Sequence, residues 1–510
     1  MLLNHTLLRL LPFLAFAAAS TSTVPDCNPD ALPTPEVFGA SILEVDAVQV
    51  VDSTLSTSPI SFCNVSITYT HPGQNDIINI WLWLPSTWNG RFQGVGGGGW
   101  ITGLEPPNMI DAVSKGYAAV STDGGHYITS SVPSWGLASP GNVNLYNLQN
   151  FASVALNDMT VLGKQLTEAY YGKNITKSYW NGCSTGGRQG LMMAQRYPDA
   201  YDGILSVAPA INWAEFIPTM LWPQWLMRKT DYVPTQCELG AITAAAISAC
   251  DELDGLKDGV VAMPWLCDFK AASVVGQPYS CGDTEGKISE QAAFIAQSTW
   301  TGARNSDGAF QWFGVIYGTP FSGLANTTCA ANGTCTGEPF YVTTDWHQVF
   351  LRGDPNFDVY SLSHEEWDAA FLDSKQRYQS IIGTSDPNLS RFKKAGGKMI
   401  TWHGLTDELI AFNGTVDYYD RVSALDANVT DFYRFYMAPG VEHCYGGSGA
   451  VPTDPLAALV RWVEEGDVPE TLAANRTVNG THWKQDLCLY PLSSVYQGGD
   501  PAEASSFRCQ

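Results

Sequence analysis

A serine in a glycine-flanked turn is the first feature that could carry chemistry. Residues 182–186 read Gly-Cys-Ser-Thr-Gly, which matches the G-x-S-x-G pattern of a nucleophile held on a sharp turn between a strand and a helix. A strand-like segment, 177–180, precedes the turn, and a helical segment, 188–197, follows it. This context predicts that Ser184 is a nucleophile. The alternative is a Gly/Ser turn without chemistry.

A serine hydroxyl attacks well only when a base takes its proton and an acid orients that base. After a turn of this kind the acid comes next in the chain and the histidine last, each on a loop that follows a strand. Asp407 follows the strand-like segment 398–403, and His443 follows the strand-like segment 432–437. These positions predict a triad of Ser184, Asp407 and His443.

Two neighbouring residues compete for the same roles. Glu408 adjoins Asp407 and is the alternative acid. His403 is the alternative base, but it stands at a strand end and before the acid, which is the wrong order. We therefore interpret His403 as a core histidine or as a wall of the pocket.

Acyl transfer also needs N–H donors aimed at the negative oxygen of the tetrahedral intermediate. The residue after the nucleophile, Thr185, supplies one such donor in this architecture. Residues 94–99 read Gly-Val-Gly-Gly-Gly-Gly and come shortly after an early strand-like segment. We expect Gly98 or Gly99 to supply the second donor; the alternative is a flexible glycine loop.

The elements that must position these residues alternate between strand-like and helical patterns. Strand-like runs lie at 66–69, 77–84, 117–121, 177–180, 203–208, 398–403 and 432–437, and helical patterns lie at 109–115, 150–171, 188–197 and 455–465. This alternation predicts a mostly parallel sheet, and with the serine motif an α/β fold of the α/β-hydrolase type. Residues 209–398 are rich in Trp, Cys, Gly and Pro, so we interpret them as an inserted lid domain. The catalytic domain is then 20–208 and 399–510.

The net charge and the N-terminal segment of the chain limit its possible compartment and its binding partners. The net charge of −23 excludes a basic nucleic-acid interface. Arg9 precedes the apolar run 10–18, and Ala17–Ala19 fits a cleavage site, which predicts a signal peptide over 1–19 and a secreted, extracellular protein. No other apolar run is long enough for a membrane span. Sequons for N-glycosylation occur at Asn64, Asn174, Asn326, Asn332, Asn388, Asn413, Asn428, Asn475 and Asn479.

Cysteines flank two of the predicted catalytic residues. The chain has 12 cysteines, an even number that suits an oxidising compartment, and they show no zinc-site spacing. Cys183 precedes the nucleophile and Cys444 follows the base. If Ser184 and His443 are within hydrogen-bond reach, these cysteines are neighbours, and a disulfide between them would brace the catalytic pair.

Together, Cys183-Ser184, Asp407 and His443-Cys444 resemble the CS-D-HC arrangement of the fungal tannase and feruloyl esterase family. The resemblance runs over almost the whole mature chain. It implies a secreted α/β-hydrolase with a large lid that hydrolyses esters of phenolic acids, with the family's catalytic Ser, Asp and His at the three positions already named.

The resemblance also implies a structural Ca²⁺ site in the lid, within residues 250–260. Three aspartates in eight residues repel one another unless a cation or solvent separates them, and Ca²⁺ prefers six to eight oxygen ligands. The alternative is a solvated acidic turn. The implied ligands are side-chain and backbone oxygens: the carboxylates of Asp251, Asp254 and Asp258 and the carbonyls of Leu256 and Val260.

Spacing leaves the other disulfides open. The plausible pairs join cysteines that are near each other in the sequence: Cys250–Cys267, Cys488–Cys509, Cys329–Cys335 and Cys27–Cys63. Cys237 and Cys281 then remain and could pair with each other.

Three functions compete. The first is a feruloyl esterase that releases ferulic, p-coumaric or caffeic acid from small esters or from plant cell-wall polysaccharide such as xylan. The second is a tannase that hydrolyses gallate esters; tannases that resemble this family often carry a Lys-Arg pair in the lid, and this lid has no pair in that order. The third is a catalytically dead wall-binding protein, which the complete triad disfavours.

The oligomeric state is left open. Flat aromatic faces for the phenolic ring are expected among Trp213, Trp222, Trp225, Trp300, Trp312 and Trp346. For any one of them the alternative, which the sequence favours, is a place in the core.

Overall fold

The computed structural model describes residues 26–54, 59–282 and 284–510. The predicted signal peptide, 1–19, lies outside the described residues. A nine-stranded sheet forms the centre, in the spatial order β1-β2-β3-β5-β4-β6-β7-β8-β9. Its strands are β1 Ser41–Ser53, β2 Ile60–Thr70, β3 Ile78–Pro85, β4 Arg91–Val95, β5 Ala118–Thr122, β6 Lys177–Cys183, β7 Gly203–Val207, β8 Lys398–Gly404 and β9 Tyr433–Ala438.

The sheet is mixed. Strands β1, β2, β3 and β5 pair antiparallel in turn, whereas β5, β4, β6, β7, β8 and β9 pair parallel. All five residues of β7 are buried, as expected for a strand covered on both faces. Because parallel strands end at the same edge, the loops after β6, β8 and β9 lie side by side. This is the predicted α/β fold.

The helices cover the sheet and fill the insertion. They are α1 Pro106–Ser114, α2 Val132–Gly136, α3 Leu145–Gln149, α4 Ala155–Tyr171, α5 Thr185–Arg196, α6 Trp213–Thr219, α7 Trp222–Lys229, α8 Gln236–Cys250, α9 Glu290–Thr301, α10 Tyr341–Asp345, α11 His364–Ile382, α12 Ser390–Lys394, α13 Phe412–Leu425 and α14 Pro455–Glu465. Local signals fix their ends: α14 begins at the Asp454 cap, whose side chain accepts the Ala457 N–H, and ends at Gly466 with a φ of 73°.

The segment between β7 and β8 adds no described strand to the central sheet. It forms short hairpins of its own, Pro278–Cys281 with Thr284–Lys287, Ala303–Arg304 with Phe310–Trp312, and Thr327–Cys329 with Cys335–Gly337. Its buried side chains share one hydrophobic cluster with the Trp100 and Phe151 regions of the sheet-bearing part. The exact limits of a lid domain, 209–398, stay a prediction.

The described cysteines form six disulfides, and these are the six pairs given above, including Cys237–Cys281. Within the described residues none is left free. Six disulfides are typical of a protein that folds in an oxidising compartment. In the same part of the chain, none of the helices combines the length and apolar character needed to cross a bilayer.

Candidate active site

Ser184 occupies a strained turn between β6 and α5. Its φ is 60° and its ψ is −121°, a conformation that non-glycine residues rarely adopt. A Cβ on Gly182 would lie 2.5 Å from the carbonyl carbon of Gly186, so the turn closes this tightly only with glycine at 182. The Ser184 N–H donates to the Val207 carbonyl, 3.0 Å away. The strain therefore belongs to the turn that the serine motif predicts.

The helix after the serine begins earlier than predicted. Helix α5 runs from Thr185 rather than from residue 188, because the two glycines after Thr185 pack closely instead of breaking the helix. Its N-terminus therefore adjoins Ser184 directly, where the partial positive charge of the helix favours a developing anion.

Asp407 is the acid that faces the histidine. Its Oδ2 accepts from His443 Nδ1 at 2.8 Å and from His403 Nε2 at 3.0 Å. Its Oδ1 accepts the backbone N–H groups of Leu409 and Ile410 at 3.0 and 2.8 Å. Four donors hold this buried carboxylate, so its orientation toward His443 is fixed.

Electrostatics keep this pair ready for proton transfer. Burial alone would raise the pKa of Asp407, but the charge of His443 and the hydrogen bonds from both histidines hold it far below its usual range. Burial alone would lower the pKa of His443, but the Asp407 charge and hydrogen bond, helped by Glu408, raise it. The arrangement stabilises an imidazolium, as a base in acyl transfer requires.

The two alternative residues take other places. Glu408 accepts the backbone N–H of His443 at 3.0 Å and makes no hydrogen bond to the ring. His403 is fully buried, and its Nδ1 lies 2.9 Å from the Thr415 hydroxyl. Of the two interpretations kept above, a core histidine and a wall of the pocket, its burial fits the first. Its second task, donating to Asp407, was missed.

Ser184 and His443 lie on neighbouring loops. The disulfide Cys183–Cys444 joins the residues beside them, with the two Cα atoms 6.0 Å apart. Both residues line the same groove and the same apolar pocket. A hydrogen bond between their side chains is absent from the contacts of the described residues; such contacts often tighten only when substrate binds.

The predicted oxyanion donors surround the serine. The Thr185 hydroxyl donates to the Gly99 carbonyl at 2.7 Å, which ties the two loops together. Gly98 and Gly99 both line the groove at Ser184. A Cβ on Gly99, where φ is 55°, would lie 2.0 Å from the Tyr341 hydroxyl, so this position requires glycine. The choice between Gly98 and Gly99 as second donor stays a prediction.

Two cavities meet at Ser184. A narrow pocket runs under the insertion, and apart from the catalytic residues its described lining is almost wholly apolar: Ala210, Trp213, Phe216, Ile217, Met220, Phe340, Val342, Leu409 and Ile410. A wider groove opens on the other side and includes residues 96–99, Asn108, Asn181 and Tyr445. Together they could hold an ester with its carbonyl at the serine and its two halves on opposite sides.

Comparisons with known proteins agree with this site. The family model described as "Tannase and feruloyl esterase" matches residues 63–510. The chain belongs to this family. It is a carboxylic ester hydrolase of the α/β fold, as the serine, acid and histidine positions predicted.

Relatives of the family cover almost the whole chain. A "probable feruloyl esterase" of Arthroderma benhamiae is 40% identical, over 99% of this chain and 97% of its own. The tannin acyl hydrolase of Aspergillus niger has a TM-score of 0.86 at 28% identity and covers 94% of both chains. The feruloyl esterase B of Aspergillus oryzae has a TM-score of 0.78 at 26% identity, over 93% of this chain and 97% of that one.

The six tryptophans predicted as candidate faces for the phenolic ring lie in three different parts of the structure. Trp213 lines the apolar pocket beside Ser184. Trp222 and Trp225 stack on each other, with ring centroids 5.3 Å apart, in a separate cluster. The others, Trp300, Trp312 and Trp346, belong to the large core under the insertion. The pocket is completed by Phe216 and Phe340, which the sequence did not single out.

The loop predicted to bind Ca²⁺ wraps around Asp251. Its Oδ1 accepts the backbone N–H groups of Asp258, Gly259 and Val260 at 3.1 to 3.2 Å. Asp258 also pairs with the buried Arg476. Burial, with help from the charges of Asp258 and Asp251, raises the pKa of Asp254 to about 6.

These carboxylates fit Ca²⁺ in chemical type but not yet in arrangement. Carboxylate and carbonyl oxygens are the ligands that Ca²⁺ prefers, and the loop offers both, with the carbonyls of Leu256 and Val260. Among the described residues, however, no three acidic, histidine or cysteine side chains converge as a metal cluster. The calcium site stays a prediction.

Proposed function

We propose that this chain is a secreted feruloyl esterase that releases hydroxycinnamic acids from small esters or from plant cell-wall polysaccharide. The observation that carries the proposal is the apolar pocket that opens directly on Ser184. A planar, weakly polar acyl group fits such a lining. The relative from Arthroderma benhamiae, a probable feruloyl esterase, supports it.

In the proposed reaction Ser184 Oγ attacks the ester carbonyl while His443 Nε2 takes its proton. Asp407 holds the ring through Nδ1 and stabilises its positive charge. The N–H groups of Thr185 and of Gly98 or Gly99 receive the negative oxygen of the intermediate. The alcohol leaves with the proton from His443, and water then releases the acid by the same steps.

The lining of the pocket favours feruloyl over galloyl groups. A galloyl ring carries three hydroxyls, whereas a feruloyl ring carries one hydroxyl and one methoxy group. Burying a hydroxyl without a hydrogen-bond partner costs about 1–3 kcal/mol. Apart from Ser184, Thr185 and His443, the described lining offers one polar N or O side-chain group, the indole N–H of Trp213. This group is a donor and cannot accept the proton of a hydroxyl. Two additional unpaired hydroxyls should therefore lower kcat/KM by roughly 30-fold or more.

The test is to measure kcat/KM for methyl ferulate, methyl p-coumarate, methyl caffeate and methyl gallate side by side. We expect ferulate or p-coumarate to be preferred and gallate to be slowest. The variant Ser184→Ala should lower kcat by about four to six orders of magnitude. Near-wild-type turnover by a folded Ser184→Ala protein would contradict the catalytic assignment.

Tannase activity is the second candidate, because the tannin acyl hydrolase of Aspergillus niger superposes with the higher TM-score, 0.86 against 0.78. A higher kcat/KM on methyl gallate than on methyl ferulate would favour it. That result would also show that hydroxyl groups find partners in the pocket.

We further propose that residues 251–260 bind a structural Ca²⁺ through Asp251, Asp254, Asp258 and the carbonyls of Leu256 and Val260. The ion would offset the repulsion among carboxylates that the ion pair between Asp258 and Arg476 balances in part. Chelator should lower the melting temperature and added Ca²⁺ should restore it. A melting curve indifferent to chelator, with no metal by elemental analysis, would contradict this site.

Secretion is supported by the six disulfides. Five sequon asparagines are exposed and accessible for glycosylation: Asn174, Asn332, Asn388, Asn428 and Asn479. We expect glycans there, which mass spectrometry before and after enzymatic deglycosylation would reveal.

A further inference from the structure

The open groove at Ser184 differs in charge from the apolar pocket. It has a volume of about 930 Å³ and borders Ser184 and His443. Its described lining includes five carboxylates: Glu105, Asp111, Glu408, Glu442 and Asp454. The apolar pocket contains none. An ester bound with its aromatic acyl group in the pocket must place its alcohol in this acidic groove.

Little positive charge offsets these carboxylates. Apart from the proposed base His443, Lys115 is the one basic side chain among the described residues that line the groove, and it already pairs with Asp111 at 3.0 Å. Glu442 is partly buried; burial and the charges of Glu408 and Asp407 raise its pKa. The groove therefore presents a negative potential to any group that leaves from the serine.

We propose that this groove binds the alcohol of the ester as an uncharged polyol and discriminates against an anionic alcohol. The inference rests on the proposed function, because it assumes that the acyl ring occupies the apolar pocket. Sugar hydroxyls can donate hydrogen bonds to the carboxylates of Glu105 and Asp454, whereas a carboxylate on the alcohol meets like charge without a donor. A sugar-linked phenolic ester meets this requirement.

A matched pair of substrates isolates the charge. Caffeoylquinate carries an ionised carboxylate on its alcohol at a pH of about 6, and its methyl ester has the same acyl group and the same polyol without the charge. We expect kcat/KM for the methyl ester to exceed that for caffeoylquinate by about fivefold or more at low ionic strength. The ratio should shrink toward one in about 1 M salt, because the repulsion is screened.

The double variant Glu105→Gln, Asp454→Asn removes two of the charges and keeps the shapes. Asparagine also preserves the cap at the start of α14. The ratio between the two substrates should fall in this variant. Because a ratio is compared within each protein, a general loss of activity cancels. The control Asp307→Asn neutralises an exposed carboxylate of the insertion outside the groove and should leave the ratio unchanged.

Two results would overturn the inference: a ratio near one at low salt, or a high ratio that neither salt nor the double variant reduces. Failure of the proposed function looks different. In that case the uncharged esters, methyl caffeate and methyl ferulate, would also fail to react, and the ratio would have no meaning.

Discussion

Replacing Cys183 and Cys444 together with alanine tests what holds the nucleophile near its base. Their bond spans 261 residues of sequence. Closing a loop of this length is worth about 5–6 kcal/mol of unfolding free energy in the chain-entropy model. In the variant, strands β6 to β9 stay paired in the sheet, so the edge from which the catalytic loops leave is kept. The loops that carry Ser184 and His443 lose their direct link.

The expected effect on catalysis follows from distances. The two cysteine Cα atoms lie 6.0 Å apart, and each cysteine is one residue from a catalytic side chain. A displacement of about 1 Å between nucleophile and base can lower the rate by about a hundredfold. We therefore expect kcat to fall by about 10- to 100-fold, with a smaller change in KM.

The control is a second double variant, Cys27→Ala with Cys63→Ala, which removes a bond far from the site. That bond spans 36 residues, so its loss should lower the unfolding free energy by about 4 kcal/mol. Both proteins are assayed well below their own melting temperatures. If the Cys183/Cys444 variant keeps the kcat of the control, the disulfide stabilises the fold and does not position the pair.

Other outcomes follow from the buried charges. Because Asp407 raises the pKa of His443, kcat/KM should fall on the acid side through a pKa above 6.5, as a pH–rate profile would show. Asp407→Asn should lower kcat by about 10⁴-fold and Glu408→Gln far less, since Glu408 contacts only the backbone of His443; equal losses in steady-state assays would refute this. The hydrogen bonds that the His71 ring donates to Asp158 and Asp76 raise its pKa to about 9. Protonated His71 therefore stabilises the fold by up to about 3 kcal/mol below pH 6.5, and this contribution is lost as the pH rises to about 9. Denaturant titrations across this pH range measure the loss, and an unchanged free energy of unfolding would contradict it.

The residues of the proposed triad could be located in the sequence because each follows a strand that its own composition reveals. The G-x-S-x-G motif indicated Ser184, and the order of the strands indicated Asp407 and His443; their catalytic roles stay a prediction. Strand β4, Arg91–Val95, was missed because only two of its five residues are large and apolar. Strand β1, Ser41–Ser53, was missed because it lies at the sheet edge and is mostly exposed.

Features that depend on long-range packing escaped prediction. His403 donates to Asp407 only because the tight turn after β8 folds the acid back toward the strand end. Six tryptophans of the insertion looked equivalent, and the way its short helices pack decides that Trp213 alone of the six borders the pocket. The carboxylates of the groove come from four separate segments of the chain, so their shared charge was invisible in the sequence.

The place of the insertion has a consequence for synthesis. Strand β7 ends at Val207 and its neighbour β8 begins at Lys398, so about 190 residues must be made before the sheet can extend. At about 5–20 residues per second this takes roughly 10–40 s. During that time the side of β7 that will pair with β8 is an open strand edge able to pair with other chains. Chaperone supply during secretion, more than the stability of the finished enzyme, should therefore limit the yield of recombinant protein.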